Sequence, residues 1–256
     1  MAVAPSIEAL NITKDFASVR ALNSISMSIE KGEIRGLLGA NGSGKSTFMK
    51  ILMGLVKPDQ GTITVDGFDP VKEPIAVRGI VGYVPETPRL YDYLSGIEYL
   101  DFVADLYGLP RDVKKERIDE FLTAFGLREQ GNDLISGYSL GMKQKIALSA
   151  ALINRPKVLI MDEALNGLDP RSAKIVKDTL IKLSSGGVTV LFSTHVLEIA
   201  EAICKNVTIL DHGNIIAEGP IDQLKKRAGG STLESVFLNL TGSSDVRAVV
   251  EELTAS

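Results

Sequence analysis

Gly39-Ala40-Asn41-Gly42-Ser43-Gly44-Lys45-Ser46 fits the phosphate-binding pattern G-x-x-x-x-G-K-[ST] at every position. Glycine lets a backbone pass close to a polyphosphate and turn its N–H groups inward, where a β-carbon would clash. Lys45 is then placed to reach the β- and γ-phosphates, and the Ser46 hydroxyl to bind Mg²⁺. Upstream, residues 33–38 read as a strand with Gly36 inside it. Downstream, Phe48, Ile51, Leu52 and Leu55 repeat as the apolar stripe of a helix, with Gly54 and Pro58 as stop signals. A helix N-terminus there adds partial positive charge beneath the phosphates. The stretch predicts a nucleotide site, and with it an α/β fold.

The rest of the composition is compatible with that fold. The chain has 256 residues, 45% hydrophobic and 23% charged, which suits one soluble globular domain with a subdomain. A net charge of −4 gives no support for broad nucleic-acid binding, and no nucleic-acid partner is expected. The basic clusters at 111–117 and 225–227 lie among acids or on polar helix faces and read as solvated surface. Cys204 is the only cysteine, which excludes an intramolecular disulfide; among apolar neighbours it reads as a buried structural thiol. The N-terminal residues lack the basic and apolar regions of a secretory signal. No apolar run approaches the ~18 residues that cross a bilayer. Any membrane role is expected to come through a partner.

Along the chain, residues 6–12, 23–30 and 62–66 alternate like antiparallel strands, the last before an Asp66-Gly67 turn. Residues 96–107, 111–126 and 140–153 read as helices. Apolar strands at 157–161, 188–192 and 206–210 are separated by helical segments 171–184 and 196–203. Such alternation argues for a mainly parallel sheet, interrupted by a mostly helical insertion at about 84–152. In the tail, Ser231 and Glu234 suggest a capping box, and Leu233, Val236, Phe237 and Leu240 form one helical stripe. That helix can dock on its own domain or bind a partner.

Two further groups fall at strand exits, where open α/β sheets hold their ligands. The apolar run 158–161 ends in Asp162 and Glu163, which nothing structural requires. Asp162 is placed to hold Mg²⁺, and Glu163 to orient or deprotonate an attacking water. The strand at 188–192 ends in Ser193-Thr194-His195, where a hydrogen bond from His195 to a γ-phosphate would distinguish ATP from ADP. The other histidine, His212, sits in a hairpin turn and is assigned no role. Ser139 is a natural N-cap for the helix at 140–153, and an N-cap serine is also a ready phosphate binder.

Together these residues resemble the nucleotide-binding subunit of an ATP-binding-cassette (ABC) transporter over about residues 6–228. The resemblance implies a P-loop NTPase with a mainly parallel core sheet, an antiparallel β subdomain and a helical subdomain. The ATPase domain would span 1–228, with its core at 1–83 and 153–228 and its helical part at about 84–152; the tail would be 229–256. Phe16 would stack on adenine, and Gly39, Asn41, Gly42, Ser43, Gly44, Lys45, Ser46 and Thr47 would form Walker A. Glu86 stands at the Q-loop, beside Ser46 and Asp162 as a metal-site residue. Residues 139–144 cover the signature, Asp162 and Glu163 end Walker B, Asn166-Gly167-Leu168-Asp169 match the D-loop, and His195 matches the switch.

By resemblance, two such chains, identical or related, pair head to tail. Each ATP, with Mg²⁺, would be held between one Walker A and the opposing Ser139 and Gly141, with Asp169 also at the interface. Lys45, Glu163 and His195 would carry catalysis. The helical subdomain would transmit hydrolysis to separate transmembrane permease subunits, placing the chain peripherally on the cytoplasmic face of the membrane. Four positions depart from the family pattern: Glu86 replaces glutamine, Leu140 and Met142 replace a glycine and a glutamine of the signature, and Phe16 replaces tyrosine. Glu86, the YSLGM signature and the tail at 233–242 resemble the bacterial exporter-type branch, which favours export over import. A soluble assembly ATPase and a binding-only regulator remain alternatives.

Overall fold

The computed structural model describes residues 4–165, 168–229 and 232–241. Strands β1 (Ile7–Phe16) and β2 (Val19–Ile29) form a hairpin, β3 (Ile34–Leu38) runs into helix α1 (Lys45–Leu52), and β4 (Gln60–Val65) returns beside β1. The order β2-β1-β4 makes a small antiparallel sheet. Along β1, Ile7, Ala9 and Ile12 are buried while Glu8 and Leu10 face out, the half-buried alternation of such strands. Both hairpin strands are longer than their apolar runs, because bulges at Asn11 (φ 52°) and Ser24 (φ 53°) absorb register shifts and carry the pairing on to Phe16.

Helix α2 (Pro74–Ile80) and strand β5 (Val81–Val84) follow, then α3 (Gly96–Leu106), α4 (Arg111–Ala124) and α5 (Leu140–Leu152). Ser95 and Glu98 close a reciprocal capping box on α3, while Gly108 and Gly126, both at φ 67°, end α3 and α4. The chain then alternates β6 (Val158–Asp162), α6 (Pro170–Ser185), β7 (Thr189–Thr194), α7 (Leu197–Ile203), β8 (Asn206–Asp211) and β9 (Asn214–Pro220). Two helices follow, α8 (Ile221–Ala228) and α9 (Leu233–Thr241).

The large sheet has the order β5-β6-β7-β3-β8-β9, parallel throughout except for the final β8–β9 pair. Its central strands β6, β7 and β3 are buried on both faces, which explains the apolar runs of β6 and β7, whereas edge strand β9 is half exposed. Val158 and Ile160 join a core with α1 and the small sheet; Leu159 and Met161 join the opposite core with α5, α6, α7 and α9. Helix α1 is thereby sandwiched between the two sheets.

Several expectations needed adjustment. Leu55 is 55% exposed, because Gly54 (φ 64°) turns the chain before a further helical turn can form. Arg35, in the middle of β3, is buried: its guanidinium donates to Glu33 (2.6 Å), Thr208 (3.2 Å), the Ser28 carbonyl (3.2 Å) and Glu218. Cys204 is a buried free thiol, pushed up to about 12 by burial, as its apolar neighbours suggested. On α9, Leu233 and Val236 are fully buried against the domain. The Ser231 half of the expected capping box lies outside the described residues; Ser235 N–H donates to Thr232 Oγ1 (3.2 Å) at that end.

Candidate functional site

Strand β3 delivers the glycine loop to the carboxyl edge of the large sheet, and α1 leaves from it. A Cβ on Gly39 would lie 2.4 Å from both the Leu210 carbonyl and Ser43 Oγ; one on Gly44 (φ 109°) would lie 2.6 Å from the Ala21 carbonyl. Both glycines are therefore obligatory for packing as well as for conformation. Asn41 and Gly42 (φ 81°) form the exposed crest, and no neighbour lies within 4 Å of a Cβ built on Gly42. The N-cap of α1 is Gly44, which supplies no side-chain cap, and the first turn, with half-buried Ser46 and Thr47, carries no acid. Its leading N–H groups are thus left for an anion. Buried Ser43 Oγ makes no hydrogen bond within the described residues, a polar atom that a phosphate oxygen would satisfy.

Lys45 is 6% exposed and donates to the carbonyls of Gly39 (2.7 Å) and Ala40 (3.2 Å), and its Nζ lies 3.9 Å from Glu163 Oε1. Asp162 and Glu163 are also buried, at the end of β6. Glu163 has φ 51°, a left-handed conformation that costs a non-glycine residue about 1–3 kcal/mol. That turn lets its N–H donate to Ser193 Oγ (3.0 Å) and to the Ser193 carbonyl (3.2 Å) on neighbouring β7. Ser193 Oγ in turn donates to Asp162 Oδ1 (2.6 Å), and His195 Nδ1 stands 2.5 Å from Glu163 Oε2. Lys45, Asp162, Glu163 and His195 therefore form one cluster, as their strand-exit positions suggested. Ser193 ties both acids to β7, a link the sequence reading did not assign; the only signal was a hydroxyl at an exit beside the acid pair.

The remaining predicted residues sit around this cluster rather than in it. Glu86 is exposed just beyond β5; burial pushes the Tyr83 phenol up to about 12, reinforced by the negative charges of Asp162 and Glu86, so both acids face one phenol. Phe16 closes the small-sheet hairpin and is 47% exposed. Ser139 caps α5, accepting from Met142 N–H (3.3 Å), and α5 packs on β5, α3 and α4. Among the described residues, no hydrogen bond joins Ser139 or Gly141 to the phosphate loop of the same chain. Asp169 caps α6, and its hydrogen bonds from Ser172, then the Lys145 bridge (3.0 Å), hold its carboxyl well below the usual carboxylate range. Gln144 Nε2 donates to the Ala164 carbonyl (2.8 Å), so α5 is tied to the exit of β6 through Gln144 and to the start of α6 through Lys145. Asn166 and Gly167, the first half of the expected D-loop, lie outside the described residues.

The turn between β8 and β9 also belongs to the site. Gly213 N–H donates to the Ser43 carbonyl (3.0 Å), and its own carbonyl accepts from Asn23 N–H (2.8 Å), bracing the phosphate loop against β2. His212 in that turn is solvent-exposed. Ser46, Asp162 and Glu86, the residues expected to serve a cation, all offer oxygen, the donor type that suits Mg²⁺. Among the described residues no group of three or more His, Cys, Asp or Glu could hold a metal by itself.

Comparison with known proteins gives a consistent result. The ABC transporter family profile matches residues 22–166. The chain is 38% identical over 223 residues to the ABC transporter ATP-binding protein NatA of Bacillus subtilis (strain 168), covering 86% of this chain and 90% of NatA. It is 40% identical over 239 residues to the linearmycin resistance ATP-binding protein LnrL of the same organism, covering 93% of this chain and 76% of LnrL. A solved ATP-binding subunit of an ABC transporter superposes with a TM-score of 0.87 at 31% identity, covering 92% of this chain and 99% of that one.

Proposed function

This chain belongs to the ABC transporter family as an ATP-binding subunit, and we propose that it hydrolyses ATP to drive export through separate membrane subunits. The observation that carries hydrolysis is the cluster in which buried Glu163 meets buried Lys45 at 3.9 Å and the exposed His195 at 2.5 Å. The phosphate loop and Lys45 hold the triphosphate, and Phe16 stacks on the base. Glu163 accepts the proton of the attacking water. His195 Nδ1 faces the Glu163 carboxylate, which leaves Nε2 to meet the γ-phosphate. Mg²⁺, held by Ser46 and Asp162 with Glu86 close by, would neutralise charge on the β- and γ-phosphates.

A second copy, or a related chain, completes each site. Ser139 and Gly141 start a helix packed on β5, α3 and α4, so this reading brings them to the γ-phosphate of an opposing chain. Asp169 would lie at the same interface, and a boundary near residues 84–152 would separate the moving helical part from the core. None of the helices among the described residues is long and apolar enough to cross a membrane. By family likeness, the permease would be supplied by other chains and this one would sit on its cytoplasmic side. Export is supported by the Glu86 and YSLGM features and by a relative named for linearmycin resistance.

The test is Glu163→Gln. It should bind ATP as the parent does while phosphate release falls by about 10²–10⁴-fold, the usual contribution of a general base. Turnover within threefold of the parent would remove Glu163 from that role.

A further inference from the structure

We propose that Lys14 is a specificity-determining residue that sets the base preference of the Phe16 platform. The inference rests on Phe16 stacking against the nucleotide base. Lys14 and Phe16 are two apart on β1 and share one face of the strand. Lys14 Nζ lies 5.3 Å from the centroid of the Phe16 ring, within cation–π range. Its side chain is only 15% exposed, so the charge acts on the ring with little intervening water.

Asp59 fixes the ammonium in that position. It accepts from Lys14 Nζ (3.0 Å) through Oδ1 and from Asp15 N–H (2.8 Å) through Oδ2, while its own N–H donates to the Thr13 carbonyl (2.9 Å). The Asp59 carboxyl is held below the usual carboxylate range, first by the Asp15 N–H and then by Lys14, so the clamp persists at neutral pH. From the other side of the hairpin, Arg20 Nε donates to Asp15 (2.9 Å). Lys14, Phe16 and the strand end are thus one constrained unit, not a loose surface lysine beside an aromatic.

An ammonium over one face occupies that face and leaves the opposite one for the base. It also withdraws electron density from the ring, which strengthens stacking with an electron-rich, extended π system. A purine presents a larger and more polarisable face than a pyrimidine, so the cation biases the platform toward purine nucleotides. Phe16 has no hydroxyl with which to read a base edge, so preference is left to the strength of stacking.

The experiment is equilibrium titration of the full-length chain with Mg²⁺ and ADP, CDP or inorganic pyrophosphate, ligands that undergo no turnover. Lys14→Met should weaken ADP by about two- to fivefold at most, because the cation–π contact is present with and without nucleotide and only its effect on stacking, a part of its worth, enters binding. CDP should weaken less, pyrophosphate should not change, and Lys14→Arg should restore the ADP affinity. Equal weakening of ADP and pyrophosphate by Lys14→Met would mean a charge or folding effect and overturn the proposal. An unchanged ratio of ADP to CDP affinity would do the same. Phe16→Ala separates the two levels. If it leaves ADP unaffected relative to pyrophosphate, the platform reading fails and the proposal with it. If it abolishes base dependence while Lys14→Met is silent, only the role of Lys14 fails.

Discussion

Replacing Ser193 by alanine tests whether the acid pair is held by β7 or stands by itself. The hydroxyl is fully buried, donates to Asp162 Oδ1 (2.6 Å) and accepts from Glu163 N–H (3.0 Å). A hydrogen bond to a charged carboxylate is worth about 1.5–3 kcal/mol and a neutral one about 0.5–1.5 kcal/mol. The Glu163 N–H keeps a longer bond to the Ser193 carbonyl (3.2 Å), so the second term is only partly lost. The expected destabilisation is about 2–4 kcal/mol, or roughly 5–15 °C in Tm for a chain of this size. Because Asp162 would lose the donor that orients it, the Mg²⁺ midpoint of ATP hydrolysis should rise about 10–100-fold, as when an outer-shell partner of a metal ligand is removed. Urea denaturation and a Mg²⁺ titration of phosphate release measure the two effects separately. A Ser193→Ala protein within 0.5 kcal/mol of the parent and with an unchanged Mg²⁺ midpoint would refute the reasoning.

Two further outcomes follow from the same geometry. In Gly213→Ala, the new Cβ would lie 2.8 Å from the Ala21 carbonyl at φ 76°, whereas at Gly229 (φ 65°) no described residue would lie within 4 Å of it. Gly229→Ala should therefore cost only the left-handed penalty of about 1–2 kcal/mol, while Gly213→Ala costs more and also weakens nucleotide binding through the Ser43 carbonyl. Chemical denaturation and nucleotide titration of the two variants would show it; equal losses would remove the brace. The second outcome concerns acid. Burial opposes ionisation of Glu33, but hydrogen bonds from Arg35 and Asn206, with the Arg35 charge, prevail and hold its carboxyl below the ordinary 4.5. A depressed carboxyl stabilises the fold fully above its unfolded value, and this contribution is lost as pH falls through the lower folded one. Stability from this source should hold above about pH 5 and decline below the ordinary glutamate range, and Glu33→Gln should make that decline shallower. An unchanged acid slope in the variant would show that Glu33 does not titrate against Arg35.

What the sequence revealed and what it hid divide along physical lines. The phosphate loop was legible because each glycine answers a local demand, close backbone approach or positive φ, that leaves a mark on residue type. The strands at 158–162 and 189–194 were legible because burial on both faces demands an unbroken apolar run. Strand β5 has four residues and β9 is half exposed along its length, so neither carries a run long enough to recognise. The burial of Arg35 in the middle of β3 was not legible, because it depends on neighbouring Glu33 and on Thr208 and Glu218, which come from strands far along the chain. The role of Ser193 depends on the register that sets Asp162 opposite it, a relation between two strands that neither contains by itself. The same holds for Lys14 and Asp59, 45 residues apart and joined only when β4 folds back on β1.

The order of strands has a consequence for how the protein is made. β3, which presents the phosphate loop, pairs with β7 and β8, so residue 34 finds its partner at residue 190 and residue 35 at residue 206. At about 5–20 residues per second, a ribosome needs roughly 10–30 s to supply those partners after β3 has left the tunnel. During that interval the hairpin β1–β2 with β4 can already close on local contacts, while the glycine loop has no sheet to hang from. The nascent chain gains its nucleotide site only when its last third has emerged, so ATP stabilises the finished domain and cannot act as a template for the growing one.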